Sequence, residues 1–104
     1  MKNQKVIDSI CEQCVKKWGI NKQTDQAIQE MAELIKAILK LRQMEGYSDV
    51  DKYNRFMEML EEVVDVEFMI RQLKYMLLNS LKMDFEYEQI WNNKIKKIQA
   101  MIDA

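Results

Sequence analysis

"FMEMLEEVVDVEFMIRQLKYM", residues 56–76, decides the fold. Projected at about 100° per residue, Phe56, Met59, Leu60, Val63, Val66 and Ile70 form one broad apolar stripe, and Met69, Leu73 and Met76 form a second on another side. A helix that is apolar on two sides is buried on two sides. The segment therefore predicts a helix whose first stripe meets its own chain and whose Met69 side meets a second copy. A homodimer at least is expected.

Working outward, this helix opens near Ser48 or Asp49, where a capping side chain is available, and runs to about Asn79. The helix before it starts near Thr24 or Asp25, continues to about Met44 and is broken by Gly46. An earlier one runs from about Asn3 to Trp18 and stops at Gly19, which can take the left-handed conformation of a helix end. The last follows a turn at "NSLKMD", with Asp84 as its cap, and reaches almost to the end of the sequence. With no Pro and only two Gly in 104 residues, nothing else interrupts a helical composition. The expectation is an all-α fold, a four-helix bundle over residues 1–104 as one domain, assembled as a homodimer or a dimer of dimers.

Charge sets limits on partners. Lys and Arg total 16 against 17 Asp and Glu, so there is no global field to draw in nucleic acid or an anionic membrane. No stretch approaches the roughly 18 to 20 apolar residues of a membrane span, and residues 1–14 lack the apolar run of a signal peptide. A cytoplasmic protein is expected. Cys11 and Cys14 form a C-x-x-C, but zinc asks for about four ligands and the sequence has neither His nor a second Cys pair. Both thiols fall in the helical apolar set of Ile7, Ile10, Val15 and Trp18, which makes them small core residues. Trp18 and Trp91 read as core anchors as well.

The acids need more explanation. On the second helix Glu30 projects inside one edge of the apolar arc, and Glu33 lies about 60° further round. On the third, Glu62 and Asp65 repeat the three-residue spacing and bracket the Met69 stripe. Desolvating a carboxylate is unfavourable unless a cation or donor compensates it. Two acidic pairs folded face to face would repel unless a divalent cation sat between them, and an all-oxygen set suits Mg²⁺ or Mn²⁺. E-x-x-E and E-x-x-D are also common on solvated helix surfaces; position beside apolar faces separates these pairs from that background. Glu61 and Glu67 read as surface residues, Glu67 in an i, i+4 contact with Arg71.

These residues carry a resemblance. "QEMAE" at 29–33 followed by "EVVD" at 62–65 resembles the E-E-x-x-E and E-x-x-D pattern of the MazG-like all-α nucleoside triphosphate pyrophosphohydrolases, most closely the short single-domain type of Gram-positive bacteria and their phages. The likeness extends from "KWG" at 17–19 to the basic "NKIKKI" of the last helix. Gln29 stands where that pattern has its first Glu, on the solvent side. The resemblance implies Mg²⁺, with Mn²⁺ as a substitute, held by Glu30, Glu33, Glu62 and Asp65. It implies hydrolysis of a nucleoside triphosphate to monophosphate and pyrophosphate, with Glu33 (or Glu30) taking the proton of the attacking water. Lys94 and Lys97 match the family's K-x-x-R, with Lys at the second position, and would bind triphosphate; Gln26 and Trp18 would reach the base or sugar. The competing expectations are a phosphoribosyl-ATP pyrophosphatase, which shares the acidic signature, and a catalytically silent helical adaptor that binds through the Met-rich third helix.

Overall fold

A single residue, Gly19, separates the first two helices. In the computed structural model, which describes residues 3–104, it takes φ 86° and both ends α1 (Gln4–Trp18) and begins α2 (Ile20–Leu41). α2 thus starts four residues earlier than its Thr24 and Asp25 suggest. Thr24 is an interior residue whose hydroxyl donates back to the Ile20 and Asn21 carbonyls, both at 2.9 Å, so it does not cap. Asn3 caps α1 by accepting from the Lys5 and Val6 amides, and Ser48 caps α3 (Asp49–Lys74) by accepting from the Asp51 amide, as its sequence proposes. Past Lys74 the helix widens into one π-helical turn, Tyr75–Ser80. A turn at Leu81–Met83 leads to α4 (Asp84–Ile102); Met83 occupies the cap position and Asp84 is the first helical residue. All four helices are present and no strand occurs among the described residues.

The core lies between α1, α2 and α3. Cys11 and Val15 of α1, Ala27 of α2, and Val66, Met69 and Met76 of the α3 segment are its buried apolar residues. The Met69 side of α3, expected to face a partner, is therefore the intrachain core, because α1 and α2 both close over it. The first stripe is divided: Val66 is buried, and Met59 and Val63 are half-buried. Leu60 and Ile70 are exposed, and Phe56 with them. Cys11 is buried, with its thiol 3.9 Å from the Phe68 carbonyl, and Cys14 is half-buried, so both pack as small core residues. Burial pushes the Cys11 thiol up from its ordinary value, aided by Cys14 and Asp8, with Arg71 opposing, which disfavours a reactive thiolate. Arg71 pairs with Asp8 of α1 at 3.3 Å rather than with Glu67, and so ties α1 to α3.

At the centre of this core two amides meet. Gln23 of α2 donates from Nε2 to Gln72 Oε1 of α3 at 2.5 Å, and Gln72 donates in turn to the Met69 sulfur at 3.7 Å. Gln72 is 2% exposed and Gln23 6%, so a lost partner could not be replaced by water. The pair marks a register. α2 and α3 run antiparallel around the 42–48 turn, so seven residues on from Gln23 and seven back from Gln72 bring Glu30 opposite Asp65. Each step is about 10.5 Å of helix.

α4 is arranged differently. Its first turn is held by Tyr87, whose ring lies 4.9 Å from the Lys74 ammonium and meets Trp91 edge-on at 6.5 Å. Beyond Tyr87 every residue of α4 is exposed. The radius of gyration is 17.2 Å, against about 13 Å for a compact chain of this length. No helix among the described residues is long and apolar enough to cross a membrane.

Candidate metal centre

The register set by the glutamine pair brings acids of two helices together. One carboxylate oxygen each from Glu30, Glu62 and Asp65 lie within 4.8 Å of one another, Glu30 from α2 and the other two from α3. Glu30 and Glu62 are half-buried and Asp65 is exposed, so the cluster sits at the rim of the α2–α3 contact and opens to solvent. Among the described residues, no Lys or Arg pairs with any of the three; the ion pairs involve Glu12, Glu33, Glu58 and Asp8. Glu30 does have a donor, the Gln26 side-chain amide one turn earlier at 2.7 Å. That bond holds one Glu30 oxygen and aims the carboxylate across the cleft.

The electrostatic result is concentrated on Glu62. Desolvation is the first cause that raises its pKa, followed by the charges of Asp65, Glu30, Glu33 and Glu61. A carboxyl group surrounded by four others and no cation resists ionisation. A hard divalent ion would reverse that balance. Mg²⁺ binds oxygen at about 2.1 Å and so spaces its ligands about 3 to 4 Å apart, which these oxygens reach by rotamer adjustment from 4.8 Å. The donor set is all carboxylate, with no thiol or imidazole, and fits Mg²⁺ or Mn²⁺ better than a softer metal.

The other residues singled out by sequence are placed less uniformly. Glu33 stands outside the close trio; it is half-buried, 3.5 Å from the Lys36 ammonium, and near enough to act on Glu62. Gln26 is engaged with Glu30, so its first role is to orient that acid. Trp18 is 46% exposed at the end of α1, with the Lys17 and Lys22 ammonium groups over its ring at 5.4 and 5.8 Å; it is a surface aromatic and not a core anchor. Trp91 is exposed likewise. Lys94 and Lys97 ride on the outstretched part of α4 and are not brought to the acids by their own chain. Sequence reasoning passed over Gln23 and Gln72. Their signal was present, since Gln23 projects onto the same arc as Glu30, Ala37 and Leu41.

No protein-family model matches the chain, and neither a curated protein nor a solved structure does. The site is therefore read from its own residues.

Proposed function

We propose that the protein is a Mg²⁺-dependent nucleoside triphosphate pyrophosphohydrolase of the MazG-like type, acting in the cytoplasm as a homodimer or homotetramer. The observation that carries this reading is the convergence of Glu30, Glu62 and Asp65, from two helices, on one small volume without a protein cation. Repulsion of that kind is retained where a divalent ion and its anionic ligand relieve it. The motif spacing of "QEMAE" and "EVVD" points the same way.

Glu30, Glu62 and Asp65 would hold the metal, with Glu33 completing the set. Bound there, Mg²⁺ supplies charge neutralisation for the triphosphate and a water of lowered pKa. Glu33, at the rim of the trio and accessible to water, takes the proton as the water oxygen bonds to phosphorus and the α–β phosphoanhydride bond breaks; the electron pair leaves with pyrophosphate. Gln26 keeps Glu30 oriented through the step. Lys94 and Lys97 are cations for the triphosphate oxygens, and Trp18 offers an exposed ring for a base.

The test is substitution of Glu30, Glu62 and Asp65 by Ala, one at a time, with activity and helical circular dichroism read on the same samples. Loss of Mg²⁺-dependent activity with an intact helical spectrum is expected of each. Three variants as active as the wild type would refute the assignment.

A further inference from the structure

The chain exposes 8508 Å², whereas a compact monomer of its mass exposes about 6,200 Å². The excess, about 2,300 Å², is of the size that one copy contributes to an obligate homodimer interface. Much of it lies on α3 and α4, and α2 adds a row of its own, Ile28, Met31, Ile35 and Leu39. On α4, from Tyr87 onward, Trp91, Ile95, Ile98 and Ile102 recur at spacings of four, three and four residues, and Ile90 and Met101 widen the arc. On α3, Val50, Tyr53, Met57, Leu60 and Val64 recur at three, four, three and four, all exposed.

The α3 strip is the bare half of a surface that α1 already covers. Continued along the helix, Val64 is followed on the same side by Phe68, Arg71 and Tyr75, where Cys11 and Asp8 of α1 pack. α1 meets α3 from Phe68 onward, at Arg71, Lys74 and Tyr75, and Val64 and the strip before it stay exposed. The length left over suits α4. Val50 to Val64 spans about 21 Å, and Tyr87 to Ile102 about 22 Å.

Charge selects the partner. From Tyr87 onward, Lys94 is the one charged residue inside the α4 arc, between Met101 on one side and Ile98 on the other. An ammonium group in a covered apolar face needs an anion beside it. The bare α3 strip has that anion, because its groove is lined by Met57, Leu60 and Val64 together with Glu61 and Asp65. An apolar arc with a central cation on one helix and an apolar groove with an acidic edge on another are complementary, and both belong to this chain.

We propose that two copies exchange their fourth helices, each α4 laying its apolar arc along the Val50–Val64 strip of the other copy, with Lys94 set against Glu61. The contact is isologous and closes as a two-fold dimer. The exchange rests on the proposed oligomer and not on catalysis, but it has a consequence for the site: Glu61 lines the same groove as Asp65 of the trio, so each copy delivers Lys94 beside the other's centre, where a triphosphate bound to the metal would meet it. A cation that its own chain holds away from the acids reaches acids in trans.

Sedimentation velocity of the full chain tests this without reference to activity. The wild type is expected to run as a dimer or larger at micromolar concentration. Lys94→Glu, on an exposed helix position, should weaken dimerisation about a hundredfold by placing like charges together, while the helical spectrum stays unchanged. Glu61→Lys should weaken it too, and Lys94→Glu combined with Glu61→Lys should restore most of the lost affinity. A monomeric wild type would overturn the proposal. So would a Lys94→Glu variant that dimerises as tightly as the wild type, which would place the contact elsewhere. Absence of hydrolytic activity in a protein that follows this pattern would count against the enzyme and leave the exchange standing.

Discussion

Replacing Gln72 by Leu should be the most destabilising near-isosteric change in the α2–α3 contact, and it also tests how the acids come to face each other. Gln72 accepts from Gln23 at 2.5 Å where both are buried, so the Leu variant leaves the Gln23 amide with neither partner nor water. A buried amide stranded in this way costs about 1–3 kcal/mol. For a domain of this size each kcal/mol lowers the midpoint of thermal unfolding by about 4–8 °C. Gln23→Leu combined with Gln72→Leu removes both amides and should recover most of that stability, since paired replacement by apolar groups is close to neutral. The two effects separate in metal binding. With the hydrogen bond gone, Leu on Leu no longer fixes the antiparallel register that sets Glu30 against Asp65, and the double variant should bind Mn²⁺ at least about tenfold more weakly while unfolding near the wild-type temperature. Thermal circular dichroism and calorimetric Mn²⁺ titration on the same three proteins read both. A single Gln72→Leu variant within about 0.5 kcal/mol of the wild type, the range of ordinary surface changes, would refute the burial argument. A double variant with undiminished Mn²⁺ affinity would refute the register argument.

Further outcomes follow from the same structure. Glu62 has its pKa raised, so its contribution to the stability of the metal-free protein is fully present below the ordinary value of 4.5 and lost as pH rises through the elevated one; Glu62→Gln should remove that pH dependence in urea unfolding, and an unchanged profile would show the acids to be too far apart to couple. Lys82 sits at φ 57° in the turn before α4, so Lys82→Gly should stabilise the chain by about 0.5–1 kcal/mol, and a loss of stability would mean that the lysine side chain holds the turn. Mixing Glu62→Ala subunits with Lys94→Ala subunits should regenerate about a quarter of wild-type activity, because half of the dimers are mixed and each has one intact site; no recovery would place Lys94 in the same chain's site.

The parts of the fold legible in sequence were those set by local chemistry. Ser48, Gly19 and the lack of Pro marked helix ends and interiors, and the three-residue spacing marked the acids that meet in the trio. Thr24 misled because a hydroxyl that can cap a helix can also bond back within one, and α2 had already begun after Gly19. The two stripes of α3 were both real, but periodicity alone does not say which side meets its own chain. That is decided by where α1 and α2 cross α3: α1 meets Phe68, Arg71 and Tyr75, α2 meets Gln72, and Leu60 is left exposed. The positions of Lys94 and Lys97 were not readable at all, since they depend on where the turn at Leu81–Met83 sends α4.

Cleavage of the α–β phosphoanhydride bond is read by phosphorus NMR of the wild-type protein with a panel of nucleoside triphosphates. With Mg²⁺ or Mn²⁺ present, at least one triphosphate should give monophosphate and pyrophosphate in equal amounts, and none should react when the metal is chelated. Orthophosphate with a diphosphate, or an unreacted panel in the presence of metal, would contradict α–β cleavage.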